Sequence, residues 1–310
     1  MRLATSLSLS LVIALLSCGG AGPEPTAPAV DEVLDRLLVY TVNYPLAYFA
    51  ARLGGDHVEV VFPAPPGEDP AFWSPDPETI AAYQGADVIL LNGAGYAKWV
   101  ERATLPSSKL VDTSAGFEDR YIELTGTVTH SHGPEGDHEH GGWAFTTWLD
   151  LNLAVEQARS VADSLSSKIP TAAAEIEERF TSLETDLMAL DARFAAAAET
   201  IGSEPLLFSH PVYQYFIHHY ELNGHEIHWE PDVEPDGKMW SELAHIQDHN
   251  TARWMLWEGD PLETSVASLD ERGISSVVFS PCANPPEEDD WMTVMTANAE
   301  ALETIAATHR

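Results

Sequence analysis

The chain has 310 residues, of which 49 are acidic and 15 are basic, so its formal net charge at pH 7 is −34. This charge argues against binding to nucleic acid or to an anionic lipid surface, because both interactions depend on basic patches. It favours cations or basic surfaces as partners, and a solubility adaptation to a salty habitat is the alternative explanation. The length and the hydrophobic content of 45% allow two domains of ordinary size.

The N-terminal residues predict an exported and lipid-anchored protein. Met1-Arg2 is followed by an apolar segment that is too short to span a bilayer, which is typical of a signal peptide at residues 1–17. The sequence Leu-Leu-Ser-Cys-Gly at 15–19 is similar to a lipobox, in which cleavage before Cys18 and its acylation attach the chain to a membrane. An ordinary signal peptide, with Cys18 lost or free, is the alternative. We expect the mature chain to face the periplasm or the cell exterior.

A disordered spacer and a first α/β lobe follow the predicted anchor. The spacer covers residues 18–36 and is rich in proline. Apolar and amphipathic segments then predict strands at 37–42, 58–62, 86–91 and 110–112, and helices at 44–53 and 75–84. This alternation implies a parallel sheet covered by helices on both faces. We assign residues 37–147 to an N-terminal lobe.

A histidine-rich segment at 129–141 interrupts the pattern near the end of this lobe. It contains four histidines with Glu and Asp residues among Gly and Pro: His130, His132, His138 and His140. Imidazole and carboxylate groups are the usual ligands of zinc-like ions, and nothing in the segment could pack a core. The segment therefore predicts a flexible metal-collecting loop. A solvated polar loop that binds metal only fortuitously is the alternative.

Residues 148–200 predict helices that connect two lobes. The segment is rich in Ala, Leu, Glu and Arg, has no glycine, and has Pro170 as its one proline. Pro170 suits the first turn of a second helix, which at its full length measures about 40 Å. The alternation then returns, with strands predicted at 205–208, 225–229, 254–257 and 276–279, and helices at 212–220 and 240–249. The predicted fold is α/β, with two parallel-sheet lobes, the second at 201–310, joined by one long backbone helix.

Sequence segments along nearly the whole mature chain occur in a characteristic order. They are Y-T-V-N-Y-P-L-A at 40–47, G-G-D-H-V-E-V at 54–60, P-P-G-E-D-P at 65–70, G-A-D-V-I-L-L-N-G at 85–93, W-L-D at 148–150, F-S-H-P-V-Y-Q-Y-F at 208–216, and Asn298. Because these segments occur in this order, the chain resembles the zinc- and manganese-binding receptor lipoproteins of ABC importers. The resemblance implies a monomeric receptor that holds Zn²⁺, Mn²⁺ or another divalent cation between its lobes. It also implies an ABC permease as the partner that receives the ion.

The resemblance also implies a set of four metal ligands, and three of them are replaced. The family's first two histidines correspond to Ala71 and Thr146, and its final carboxylate corresponds to Ser280. His210 is retained in its F-S-H context. One histidine cannot hold zinc, which takes three or four protein ligands. The inherited site is therefore damaged or rebuilt.

Three interpretations of this altered cleft stay open. In the first, His210 forms a new site with histidines of the 129–141 segment. In the second, Cys282 supplies a thiolate, which favours softer ions such as Cu(I) or Zn(II). In the third, the cleft takes a chelate or a small organic ligand in an apolar pocket lined by aromatic side chains, Phe72, Trp73, Phe145 and Trp148.

The remaining histidines and Glu258 have weaker support as metal ligands. We expect His218 and His219 to be solvated, and Glu258 to be a strand-end residue rather than a ligand. His225 and His228 flank a predicted strand, and His245 and His249 have an i, i+4 spacing that can bind metal. No G-x-S-x-G motif or phosphate loop occurs, so we expect no enzyme. A surface lipoprotein or metallochaperone on the same scaffold is the alternative to a receptor.

Overall fold

The computed structural model describes residues 36–124, 128–131, 137–140 and 142–308, and at 128–131 and 137–140 it describes only the backbone. These residues belong to one compact unit, Asp35–Arg310. The predicted signal peptide, Cys18, most of the spacer and His132 lie outside the described residues. Within the described part of the chain, none of the helices has the length and the hydrophobicity needed to cross a bilayer.

The N-terminal sheet is parallel and has four strands. Its elements are β1 (Leu37–Thr41), α1 (Tyr44–Gly54), β2 (Val58–Val61), α2 (Pro77–Gly85), β3 (Val88–Leu91) and β4 (Leu110–Asp112). The strand order is β2-β1-β3-β4. Helix α1 begins where the side chain of Asn43 accepts a hydrogen bond from Leu46 N, and its C-cap is Gly55, whose φ of 51° favours glycine. These bounds agree with the predicted elements to within a few residues.

The histidine-rich segment contains a short hairpin. Strands β5 (Val128–Ser131) and β6 (Asp137–His140) pair in antiparallel fashion, and the register places His130 opposite His138. The backbone is therefore paired over part of the segment that the sequence predicts as a flexible loop.

Two helices connect the sheets, as the sequence predicts. Helix α3 (Leu151–Lys168) is capped by the side chain of Asp150, and a 3₁₀ turn at Pro170–Ala172 leads into α4 (Ala173–Ile201). Helix α4 has 29 residues, which corresponds to about 43 Å. Its buried face packs into the main core between α3 and the C-terminal helix. The lobes therefore share one long structural element.

The C-terminal sheet repeats the parallel four-strand arrangement. Its elements are β7 (Pro205–Phe208), α5 (Gln214–His219), β8 (Asn223–Glu226), α6 (Gly237–His249), β9 (Trp254–Trp257), α7 (Glu263–Asp270), β10 (Ser275–Val278) and α8 (Trp291–Ala307). The strand order is β10-β9-β7-β8. The predicted two-lobe α/β fold is confirmed, with α7 and α8 in addition to the predicted elements.

One strand differs from its prediction. The sequence predicts a strand at 225–229, whereas β8 ends at Glu226, because its ladder with β7 ends where Phe208 pairs with Glu226. The chain nevertheless stays beside β7, since Ile227 N donates to Phe208 O at 2.9 Å and Trp229 N donates to Ser209 O at 2.7 Å.

His219 is not the solvated residue that the sequence predicts. Its Nδ1 lies 3.2 Å from Asp150 Oδ2, and its Nε2 lies 3.1 Å from Asp191 Oδ1. The side chain is 22% exposed, so the ion pairs are partly shielded from water. His219 therefore ties α5 to both connecting helices. His218 is exposed, as predicted.

Candidate metal centre

A cavity of about 940 Å³ is lined by residues of both lobes. Eight of the residues that the sequence places in the cleft line it: Phe72, Trp73, Phe145, Thr146, Trp148, His210, Ser280 and Cys282. Ala71 is not among the lining residues, because its side chain is buried in the main core with 2% of its surface exposed. Phe145 and Tyr96 complete an aromatic wall on the side of the N-terminal lobe.

Three potential metal ligands converge on the opposite side of this cavity. His210 Nδ1 lies 3.6 Å from Glu230 Oε1 and 3.6 Å from Glu258 Oε1. One donor atom from each of the three residues lies within 4.8 Å of the others. We call this group the His-Glu-Glu cluster. His210 is 6% exposed, while both glutamates are partly buried.

The cluster forms because each residue follows the carboxyl end of a parallel strand. His210 follows β7, Glu230 follows the extended segment after β8, and Glu258 directly follows β9. The carboxyl ends of parallel strands meet at one edge of the sheet, which is where open α/β sheets bind ligands. The three residues therefore meet although they are far apart in the sequence.

Ser209 holds these three strand ends together. Its backbone N–H donates to Leu256 O at 2.9 Å, and its carbonyl oxygen accepts from Trp229 N at 2.7 Å. Its hydroxyl oxygen accepts from Glu258 N at 3.1 Å. Ser209 is fully buried, so these bonds are shielded from competition with water.

The cluster lies in a strongly acidic environment. Burial, together with the neighbouring charges of Glu230, Asp69 and Asp232, raises the pKa of the Glu258 carboxyl to about 8. Two partly buried carboxylates at close range repel one another, and a bound cation relieves this repulsion. The electrostatics of the cluster therefore suit a divalent cation.

The donor chemistry also fits a divalent metal ion. One imidazole and two carboxylates are common ligands of zinc, and the same groups bind manganese and iron. Among the residues whose side chains are described, this is the one group of three or more histidine, cysteine or acidic residues with donor atoms close enough to share an ion.

A family model described as zinc-uptake complex component A, periplasmic, matches residues 39–305. The chain belongs to this family. It is 25% identical over 283 residues to the zinc-binding lipoprotein AdcA of Streptococcus pneumoniae, an alignment that covers 86% of this chain and 55% of AdcA. The chain thus spans about half the length of that curated relative.

The chain is also similar to a second curated protein, and its fold is similar to that of a solved structure. The manganese ABC transporter substrate-binding lipoprotein PsaA of Streptococcus pneumoniae is 26% identical over 243 residues, with 75% of this chain and 72% of PsaA covered. The solved structure of the metal-dependent lipoprotein YcdH from Bacillus subtilis is 20% identical and has a TM-score of 0.74. That alignment covers 87% of this chain and 99% of YcdH.

Thr146 and Ser280, two positions at which the resemblance implies ligands, make structural contacts. The hydroxyl of Thr146 donates to the backbone carbonyl of Val212. The backbone N–H and carbonyl of Ser280 both bond to the side chain of Asn298, at 2.9 and 2.7 Å. These contacts join elements around the cavity rather than supply metal ligands.

Cys282 lies in the cavity wall with 5% of its surface exposed. Burial, with a smaller contribution from Asp290, raises the pKa of its thiol to about 12. The thiol donates a weak hydrogen bond to Asn284 O, with the sulfur and oxygen atoms 3.6 Å apart. A protonated thiol is a poor metal ligand, so the thiolate interpretation gains no support from its surroundings.

The other predicted histidines are distributed over the molecule. The side chains of His130, His138 and His140 are not described, and neither is any part of His132, so their relation to the cluster stays a prediction. His245 and His249 are exposed on α6 with ring centroids 5.3 Å apart. Of the predicted ligands, the structure therefore places His210 in the cluster.

Glu230 and Glu258 are the residues that the sequence interpretation misses. Glu258 is at a strand end, as predicted, but its carboxylate also faces His210. Both glutamates directly follow a buried tryptophan, Trp229 or Trp257, at the end of a strand or of its extension. That repeated Trp-Glu pattern is the signal that could have identified them.

Proposed function

We propose that the chain is the extracytoplasmic receptor of a metal-ion ABC importer, and that it holds Zn²⁺ or a similar divalent cation at the His-Glu-Glu cluster. The convergence of His210, Glu230 and Glu258 in a cavity between two lobes carries this proposal. Membership of the zinc-uptake family and the zinc- or manganese-binding relatives support it. A receptor needs neither a nucleophile nor a general base, so the proposed role is binding rather than catalysis.

The proposed receptor works as an exported monomer next to a membrane permease. Residues 1–17 are the signal peptide, Cys18 carries the lipid, and residues 18–36 form the spacer. Residues 37–147 form the N-terminal lobe, residues 148–200 the connecting helices, and residues 201–310 the C-terminal lobe. Because α4 joins the lobes and the lobes are hydrogen-bonded to each other, ion binding causes only a small rigid-body movement.

Three hydrogen bonds between the two halves of the chain support this rigid arrangement. Trp148 Nε1 donates to Pro281 O at 2.8 Å, and Tyr44 N donates to Ala283 O at 2.9 Å. At the cavity margin, Asn284 Nδ2 donates to Glu68 O at 2.7 Å. The bonds connect the loop after β10 with three separate parts of the N-terminal half.

The proposed function is tested by metal binding to protein purified without a His-tag and stripped with a chelator. Titration calorimetry with Zn²⁺ and Mn²⁺ is expected to show a site that Glu258→Gln weakens at least tenfold, about 1.4 kcal/mol. Glu199→Gln, at an exposed position on α4, makes the same change in charge and is expected to bind like the wild type. Equal affinity in all three proteins would exclude the cluster as the cargo site.

A further inference from the structure

The His-Glu-Glu cluster supplies three protein ligands, one fewer than a closed four-coordinate zinc site has. Zinc in closed protein sites is almost always four-coordinate, and the cluster offers one nitrogen and two carboxylate groups. All three come from the C-terminal sheet. A fourth donor close to this edge of the sheet would complete a tetrahedral set.

The imidazole of His228 makes a ring contact with that of His210. The two ring centroids are 6.0 Å apart, and the ring planes are inclined at 76°. His228 is exposed, so its side chain can change rotamer on a fast timescale without disturbing the core. Its nitrogens lie outside the cluster in the structure, so ligation requires this rotation.

The backbone after β8 directs His228 to the same side as Glu230. Ile227 and Trp229 are 5% and 1% exposed, whereas His228 is exposed and Glu230 is partly exposed. Alternate residues of an extended segment point to opposite sides. The segment is held in this conformation by its hydrogen bonds to Phe208 O and Ser209 O. His228 and Glu230 therefore share one side, toward the residues that follow β7.

Charge favours an imidazole over a further carboxylate as the fourth donor. Two ionised glutamates neutralise a divalent cation, and a neutral imidazole adds a ligand without adding charge. Asp69, which also lines the cavity, would add a third negative charge to a site that already has two glutamates. Imidazole donors also suit Zn²⁺, Ni²⁺ and Cu²⁺, whereas sites made only of carboxylates suit Mn²⁺ and Mg²⁺.

We propose that His228 rotates into the cavity and becomes the fourth ligand, so that the cargo is held by two histidines and two glutamates. This inference rests on the proposed function, since it adds a ligand to the same site. A two-histidine, two-carboxylate set is expected to prefer imidazole-seeking cations over Mn²⁺. His228 thereby sets which ion the receptor retains.

The test compares His228→Ala with His218→Ala, which removes another exposed histidine, on α5. The full chain is titrated with Zn²⁺ and, separately, with one equivalent of Co²⁺, whose visible absorption is much stronger in tetrahedral than in octahedral sites. We expect His228→Ala to weaken Zn²⁺ binding at least tenfold and to lose the tetrahedral Co²⁺ spectrum. His218→Ala is expected to retain both. Thermal unfolding of the two apo variants checks that both are folded, so that a loss of binding reports on the metal site.

Three results would overturn the inference. One is wild-type affinity in His228→Ala, and another is an unchanged Co²⁺ spectrum in that variant. The third is a larger loss of affinity in Asp69→Asn than in His228→Ala, which would assign the fourth position to the N-terminal lobe. If one of these results is obtained and His210→Ala nevertheless loses Zn²⁺ binding, the proposed function stands without His228 as a ligand. Wild-type affinity in His210→Ala would instead contradict the proposed function itself.

Discussion

The hydroxyl group of Thr146 donates a hydrogen bond to the backbone carbonyl of Val212, two residues after His210. Val212 N in turn bonds to His210 O at 3.0 Å. Thr146 is 4% exposed and occupies the position at which the family resemblance implies a histidine ligand. Thr146 thus holds the loop that carries His210.

Replacing Thr146 with valine is expected to destabilise the protein. Thr146→Val keeps the shape of the side chain and removes the donor, which leaves one bond of the partly buried Val212 carbonyl unmade. We expect the free energy of unfolding to fall by about 1 to 2 kcal/mol in chemical denaturation. Thr185→Val is the matched control, because its hydroxyl bonds only to Thr181 O on the exposed face of α4. A loss no larger than that of the control would show that the bond across the cavity contributes nothing.

His219 is expected to make stability depend on pH. Hydrogen bonds to Asp150 and then to Asp191 raise its pKa from 6.5 to about 9. A group whose pKa is raised by folding stabilises the protein fully below its unfolded pKa, near 6.5, and this contribution is lost as the pH rises through about 9. We expect His219→Ala to lower the free energy of unfolding by roughly 2 to 3 kcal/mol at pH 6, and by less at pH 10.

The measurement for His219 is urea denaturation at both pH values, with His218→Ala as the exposed control. His218→Ala is expected to match the wild type at either pH. A destabilisation of His219→Ala that is equal at pH 6 and pH 10 would contradict an ionic role for this histidine.

The histidine-rich segment is expected to add to metal binding. The segment carries four histidines in the sequence of the N-terminal lobe, which makes it a second candidate source of ligands, and their side chains lie outside the described part of the structure. Deletion of residues 129–141 is expected to reduce the stoichiometry or the affinity for Zn²⁺ in titration calorimetry. Unchanged stoichiometry and affinity would reject a role for the segment.

Cys18 is expected to carry the membrane anchor. In cells supplied with labelled palmitate, the wild type is expected to incorporate the label and Cys18→Ala is expected to lose it, because the Leu-Leu-Ser-Cys junction resembles a lipobox. Cys282→Ala is the control, since that thiol is buried in the cavity wall. Equal labelling of wild type and Cys18→Ala would reject the anchor.

The periodic elements were predictable because their signals are local. The W-M-L-W strand at 254–257 and the change of helix near Pro170 depend on neighbouring residues, and both occur where the sequence predicts them. Strand β8 was less predictable, because its end is set by pairing with β7 rather than by its own residues.

The site was only partly predictable, because its residues come from three different strand ends. His210 was identified through its F-S-H context, which is a local pattern. Glu230 and Glu258 become neighbours of His210 only when β7, β8 and β9 are ordered in one sheet. Side-chain contacts such as those of Thr146 and His219 also depend on this tertiary arrangement, which no local pattern specifies.

The central claim is that a divalent cation binds between His210, Glu230 and Glu258, and anomalous diffraction at the zinc absorption edge tests it most directly. Crystals of the full mature chain grown with one equivalent of Zn²⁺ are expected to show an anomalous peak at about 2.0 to 2.2 Å from the His210 imidazole and from an oxygen of each glutamate. A peak located elsewhere, with these three side chains unliganded, would contradict the account.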